Sequence, residues 1–449
     1  MLRETKRTKV LASKSDIRVL PTRTGMETVT VRVQTLAASV VETSGIGVAN
    51  GHAVQDCASG NKSFSGESPD SAGKSLSFRQ WAQISCGIRQ RMEAVSACLN
   101  EIFRRSTIPE FLDQNSSIVR QLRTVTEQIG DIRRNSICWG WLASTDLHVA
   151  DNGTVTVIDH NLSVPTGIEL LTRLVNRSST ESLTALNDLW RNIVNSAARY
   201  GGTVDAQSTV ILDPCRYNPT FSENEFLARV MGAQIVHVND LAITKDGVEL
   251  SSVAKPKRIQ TVVRRIDDDL LDPNCFRPDS LVGVPGLCRA WKDGRVNLVN
   301  PPGSGVASIR SFTQKIPAMI RTFLGEEPAL SVAECRECSG VETMQNLINN
   351  PTQFAVRTND PIHPARPFFG DTATAAETVA ILKAVRRDPQ NFVVRDLLPE
   401  AARGGFNLRV FSSMGDVFCM PRCGIGRNCQ ADGGATLAIN ADNSVFFVN

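Results

Sequence analysis

The run LHVADNGTVTVIDHN, residues 147–161, constrains this chain more than any other stretch. Asp151-Asn152-Gly153 is a tight-turn signal between two alternating segments, and that pattern predicts a β-hairpin. Alternation then sets orientation: Asp159 and Asn161 leave one face of their strand and His160 leaves the other. A carboxylate and an amide oxygen on one face are hard-cation ligands, and Asp146 on the partner strand is the candidate third oxygen for Mg²⁺. The competing reading is an ordinary polar strand end beside a turn.

At 449 residues the chain is long enough for two to four compact units of roughly 150 residues each. Lys plus Arg number 49 against 46 Asp plus Glu, a net charge of +3, so no excess of positive charge makes nucleic acid the default partner. No window approaches the roughly 18 apolar residues of a membrane span, and the basic start lacks the apolar stretch of a secretory signal. The expectation is a cytoplasmic protein that binds neither nucleic acid nor membrane. Its 12 cysteines are scattered, which fits reduced thiols better than a disulfide framework. Cys335-x-x-Cys338 together with Cys419, Cys423 and Cys429 offers a zinc alternative, although the second spacing fits no common zinc pattern.

Residues 1–75, rich in Gly and Ser, bury too little apolar area to offset their ordering entropy and are expected to be mostly flexible, with one strand over 28–33. Order begins with Trp81, Ile84, Ile88, Val95, Leu99 and Ile102, one face of an amphipathic helix. STVILDP, ENEFLARVMGA and QIVHVND then read strand, helix, strand, the unit of an α/β layer. A hairpin turning at Lys245-Asp246-Gly247 follows it, a helix occupies 373–385, and the tail from Phe392 reads as strands.

Three other places carry candidate chemistry. Arg264-Arg265 beside Asp267-Asp268-Asp269 is either a cleft that positions polar or phosphorylated ligands or a solvated salt-bridge patch. Pro302-Gly303-Ser304-Gly305 can bring amides to a phosphate, yet it lacks the P-loop sequence and no Lys-Ser/Thr follows, so as a motif it is weak beside an ordinary turn. The five histidines stand far apart and suggest no nucleophilic triad.

The segment RRIDDDLLDPNCFRPDSLVGVPGLCRAWKDGRVNLVNPPGSGV, from Arg264, resembles the central signature of the circularly permuted ATP-grasp family. WAQISCGIRQRMEAVSACLNEIF, IDHNLSVPTG, YNPTFSENEFLARVMGAQIVHVNDL and RTFLGEEPAL agree with it in order. The resemblance implies an α+β fold whose lobes clasp ATP and Mg²⁺. Its parts would be a helical region with the metal-site hairpin over 76–205, an α/β region over 206–330 and a C-terminal α+β lobe over 331–449. It further implies carboxylate–amine ligation through an acyl phosphate, as in the distantly similar glutathionylspermidine synthases, on small-molecule or peptide carboxylate and amine substrates. A helical partner protein is implied too. By the same resemblance Asp146, Asp159 and Asn161 hold metal; Arg310, Arg357, Ser304 and Gly305 hold nucleotide; and Arg265, Asp267 and Arg409 border the chemistry.

The departures from the family concentrate on the nucleotide. Ser308, Ile309 and Arg310 replace an acidic pair and a Lys, and Arg357 replaces a strand Lys. The loop that follows is glycine-free and holds Pro361 and Pro364, which cannot present a run of amides. Ser163 stands for an Arg, and Ile439–Asn443 for a Gly- and Ser-rich end with a Lys-Asp pair. Two readings result: a working ligase, or a pseudoenzyme that keeps the fold as a binding or scaffold module.

Overall fold

The computed structural model describes residues 76–447 except 115, 134–135, 177–179, 198–205, 253–254, 361–366, 398–404, 416 and 429–443. Residues 1–75 with the expected strand, Pro361, Pro364, Cys429 and 439–443 lie outside the described residues. All that is described falls in one unit, Ser68–Asn449.

Helix α1, Phe78–Arg105, starts where Ser77 and Gln80 exchange side-chain-to-backbone bonds in a capping box. Its apolar stripe is buried as expected, with Ile84, Ile88, Val95, Leu99 and Ile102 at 0% exposure. Each such side chain contributes about 1.5–3 kcal/mol by leaving water. Ser106 in the left-handed region, φ 53°, ends the helix. Helix α2, Ser117–Ile129, is capped by Ser116 and buries Val119 and Leu122 in the same core.

The predicted hairpin is present: β1 (Ala143–Val149) pairs antiparallel with β2 (Val155–Asn161). Gly153, φ 82°, adopts the turn conformation that a side chain disfavours. A seven-stranded sheet grows around it in the order β10 (Ser331–Val332), β2, β1, β15 (Phe406–Met414), β17 (Cys423–Asn428), β18 (Ser444–Phe447), with β16 (Phe418–Cys419) paired to β15. Register places Asp146 opposite Asp159 on one side and Arg409 on the other.

The strand–helix–strand unit is also present. β3 (Thr209–Leu212), helix α5 (Phe221–Met231) and β4 (Gln234–Val236) lead into a parallel sheet ordered β4, β3, β8 (Thr261–Arg264), β9 (Asn297–Val299). Its unbroken apolar runs, buried over all of β3 and β8, are typical of a parallel sheet covered on both faces. Between β4 and β8 lies an antiparallel three-stranded sheet of β5 (Leu241–Ile243), β6 (Val248–Leu250) and β7 (Lys257–Ile259), turning at the expected Lys245-Asp246-Gly247. Helices α3 (Ile168–Asn176) and α4 (Thr180–Ala197) share a second core with α5.

A four-stranded antiparallel sheet, β11 (Arg336–Glu337), β14 (Phe392–Asp396), β12 (Phe354–Thr358), β13 (Phe368–Phe369), has its own core around Cys338, Leu347, Val356 and Val385. The helix Ala375–Arg387 covers it. The last part of the chain therefore divides: β11–β14 form this sheet, while β15–β18 return to the hairpin and pair its open edge. The molecule is a mixed α+β fold.

Candidate functional site

Asp159, near the end of β2, faces β12 and the turn before Phe312. Its Oδ1 accepts from Arg310 Nε at 3.0 Å and its Oδ2 from Arg310 Nη2 at 3.2 Å, a two-pronged fork. Arg357 on β12 adds Nη1 at 2.8 Å from Oδ2. Arg310 Nη1 also donates to the Thr358 carbonyl, and Ser311 bonds Asn359, so the turn and β12 are clamped together. Burial alone would raise the Asp159 carboxyl, but Arg310 and Arg357 hold it well below the usual carboxylate range.

Arg395 lines the same narrow cleft, of about 20 Å³. On β14 the register sets Val393 opposite Arg357 and Arg395 opposite Ala355, so Arg357 and Arg395 are diagonal neighbours on one sheet face. Burial pushes Arg395 down to about 10, and the positive charge of Arg357 adds to that push. Sequence reading did not select Arg395, although the alternation of FVVRD beside FAVRT carries the signal. Arg310, Arg357 and Arg395 against Asp159 leave an excess of two positive charges where the cleft opens.

One strand further, Arg409 on β15 forks Asp146 on β1, Nε to Oδ1 at 2.7 Å and Nη2 to Oδ2 at 2.8 Å. Burial alone would lower Arg409, yet Asp146 holds it above its ordinary value. Asn161 Oδ1 accepts from the Ser163 N–H at 2.9 Å, a local turn bond. The expected trio thus lies together on the two hairpin strands, with its oxygens engaged. Mg²⁺ needs near-octahedral oxygen ligation at about 2.0–2.1 Å. Both oxygens of each carboxylate already meet guanidinium nitrogens, and three arginines border them, so a divalent cation does not fit this arrangement. Guanidinium groups match phosphate geometry with parallel hydrogen bonds wherever their donors are open. Among the described residues no group of three or more His, Cys, Asp or Glu is placed to hold a metal, and Cys429 of the zinc alternative lies outside them.

Ser304 and Gly305 are expected to meet nucleotide; in the structure this turn is bonded within the chain. The Gly303 and Gly305 N–H groups donate to Asp268 Oδ2 at 3.2 and 3.0 Å, and Ser304 Oγ donates to the Leu162 carbonyl at 3.0 Å. The amides are consumed by a carboxylate of the chain itself. A Cβ on Gly305 would lie 2.6 Å from Asp268 Oδ2, which is why glycine stands there. Asp268 is paired in turn with Arg264 at 2.8 Å, so the two act as an internal brace. Asp269 faces the exposed Arg277 at 3.8 Å. Asp267 accepts from Ser163 Oγ at 2.6 Å. Arg265 lies apart from the arginine cleft, bonded to Asn224 and the Pro165 carbonyl.

His160 leaves the opposite face, as alternation requires, and its Nδ1 lies 3.1 Å from Thr145 Oγ1. Burial, with Arg91 adding positive charge, pushes it down to about 3. The folded value lies below the unfolded value of about 6.5, so the unfolded chain binds the extra proton between them. This group therefore costs stability as pH falls from about 6.5 toward about 3, at up to ~1.4 kcal/mol per pH unit. Urea unfolding at pH 7 and pH 5 should lose about 2 kcal/mol less in His160→Gln than in the parent. Equal losses would remove His160 from the acid response.

Residues 76–402 match the family model for circularly permuted ATP-grasp type 2. The chain belongs to that family. It is 28% identical over 331 residues to an uncharacterised protein of Synechocystis sp., covering 71% of this chain and 68% of that one. It is 26% identical over 337 residues to an uncharacterised protein of Mycobacterium tuberculosis, covering 72% of this chain and 60% of the relative. A putative glutamate–cysteine ligase of Frankia alni is 22% identical over 344 residues, 71% of this chain and 38% of that protein. The chain therefore spans about three fifths to two thirds of the first relatives. ATP-grasp members generally bind ATP and Mg²⁺, and no described helix here is long and apolar enough to cross a membrane.

Proposed function

We propose that this ATP-grasp chain holds the phosphates of a nucleotide between the hairpin and the small sheet, on Arg310, Arg357 and Arg395, as a binding module that has lost magnesium-dependent ligation. The observation that carries this reading is the arginine forking of both carboxylates, Asp159 and Asp146. With no open oxygens for a divalent ion, positioning and charge neutralisation of phosphate fall to the guanidinium groups alone. These groups bind and orient an anion; they supply no general base.

A second reading, carboxylate–amine ligation through an acyl phosphate, draws support from the family and from the printed name of the Frankia relative. It requires small-molecule or peptide carboxylate and amine substrates and the opening of both forks. The helical partner protein and the cytoplasmic setting belong to this proposal as well.

Calorimetric titration with ATP, once with Mg²⁺ and once with EDTA, decides between them. The binding-module reading expects ATP to bind at least as tightly in EDTA as in Mg²⁺. Binding that appears only with Mg²⁺, or consumption of ATP when amine and carboxylate are supplied, would replace it with the ligase reading.

A further inference from the structure

Two cysteines of the signature segment stand side by side, and neither the arginine cleft nor the hairpin uses them. Cys275 and Cys288 are thirteen positions apart along the chain. Asp272 brings them together. Its main-chain carbonyl accepts from the Cys275 N–H at 3.0 Å, and its carboxylate Oδ2 accepts from the Cys288 N–H at 2.9 Å. Oδ1 adds the N–H groups of Asn274 at 2.9 Å and Gly286 at 3.0 Å, so one buried side chain fixes the backbone near both cysteines. The thiols are hydrogen-bonded to each other, with the Cys288 S–H donating to Cys275 Sγ. Both are free thiols, and a pair already in side-chain contact needs little backbone movement to be bridged.

The two differ in what they meet. Cys288, on the short helix Leu287–Lys292, is buried in the main core. Cys275 is half-buried in a stretch where Asn274 and Arg277 are exposed, so a small oxidant reaches it first. The bond from Cys288 draws the Cys275 thiol below its ordinary value, and the positive charge of Lys292 adds to that pull against burial. Burial pushes Cys288 well up. Cysteines that oxidise selectively combine thiolate character, access and a neighbouring thiol that can resolve them. Cys86 and Cys215 are more exposed, but exposure by itself does not make a thiolate.

We propose that Cys275 and Cys288 are a reversible oxidation site for hydroperoxides, with Cys275 as the attacking thiol and Cys288 as the resolving one. With hydrogen peroxide, the Cys275 sulfur attacks one peroxide oxygen. An S–O bond forms, the O–O bond breaks, and the departing hydroxide leaves with the thiol proton as water. The sulfur has lost two electrons and the peroxide has gained them. The Cys288 sulfur then displaces the hydroxyl from Cys275: the S–S bond forms, the S–O bond breaks, and the hydroxyl leaves with the Cys288 proton as a second water. A dithiol reductant restores both thiols by exchange. Oxidation consumes the S–H that Cys275 donates to the Gln128 carbonyl at 3.0 Å, in the last turn of α2. Lys292, one helical turn after Cys288, donates to the next carbonyl, Ile129, so the end of α2 is the element that the oxidation state reaches.

The reduced full chain is treated with one equivalent of hydrogen peroxide, unfolded in urea, alkylated with iodoacetamide, digested with trypsin and weighed by mass spectrometry. Both cysteines fall in peptide 266–289, because trypsin leaves Arg277-Pro278 uncut. That peptide is expected to lack two hydrogens and to carry no alkyl group, while Cys86 and Cys215 are alkylated. Dithiothreitol before alkylation should restore both alkyl groups. The pair should oxidise about tenfold faster than Cys86, because the thiolate is the attacking form. In Cys288→Ala, which keeps the N–H that Asp272 accepts, Cys275 should stop at the sulfenic acid and be trapped by dimedone. Cys275→Ser should leave Cys288 reduced. The measurement on the parent chain stands even where a variant melts early. Oxidation of Cys86 or Cys215 ahead of this peptide, a dimedone adduct on Cys275 of the parent chain with no disulfide, or equal oxidation of Cys288 in Cys275→Ser would each overturn the proposal.

Discussion

Asp159→Asn is expected to change stability and phosphate affinity in opposite directions. The substitution keeps the shape of the side chain but removes the charge that pairs Arg310 and Arg357. Breaking a buried ion pair from one side costs about 3–5 kcal/mol, because the remaining charge is left uncompensated. The same removal frees both guanidinium groups and deletes a negative charge from the cleft, so pyrophosphate should bind about tenfold tighter or more, a gain of ~1.4 kcal/mol. Urea unfolding and calorimetry on one preparation measure both quantities. A protein in which Asp159 serves a magnesium ion instead predicts loss of nucleotide binding, the reverse outcome.

Arg264→Leu should be the most damaging single change in the described molecule. Arg264 is 1% exposed and donates to the carbonyls of Asn300 at 2.7 Å and Ile266 at 2.9 Å, and to Ser304 Oγ at 3.1 Å. It also pairs with Asp268, which holds the Gly303 and Gly305 amides. Burial raises the Asp268 carboxyl, and Arg264 is the first group opposing that rise. Without it, a buried carboxylate and several carbonyls lose their partner together, at about 3–5 kcal/mol for the pair and about 1–3 kcal/mol for each orphaned group. That sum is comparable to the whole stability of an ordinary domain, about 5–15 kcal/mol. The expected result is a chain recovered mostly unfolded. Arg264→Lys should restore little, since one ammonium cannot span four acceptors, whereas Arg264→Met combined with Asp268→Leu should recover part of the loss. Wild-type melting by Arg264→Leu would show that the brace is dispensable.

Much of the architecture was legible from residues alone, for reasons that are local. Alternation around Asp151-Asn152-Gly153 is enough to specify the hairpin, because a tight turn sets register and a period of two sets faces. The stripe from Trp81 to Ile102 specifies α1, and Ser77 with Gln80 marks its start. The strand–helix–strand reading of Thr209–Val236 holds because a parallel pair needs a crossover. These signals also place Asp159 and Asn161 together and His160 opposite.

What sequence alone left open is the company those side chains keep. Whether Asp159 meets a metal or an arginine depends on Arg310 and Arg357, 151 and 198 residues away along the chain. Whether Asp146 is free depends on Arg409 arriving from β15, and Ser304 and Gly305 look like a phosphate turn until Asp268 takes the Gly303 and Gly305 amides. Secondary structure, the hairpin face and the family signature were set by short-range periodicity and turn chemistry in the sequence. The charge partnerships of Asp146 and Asp159 with Arg409, Arg310 and Arg357 were decided by the tertiary fold, because Coulomb and hydrogen-bond energies depend on distance in space, and only folding brings these groups within 3 Å or so of one another.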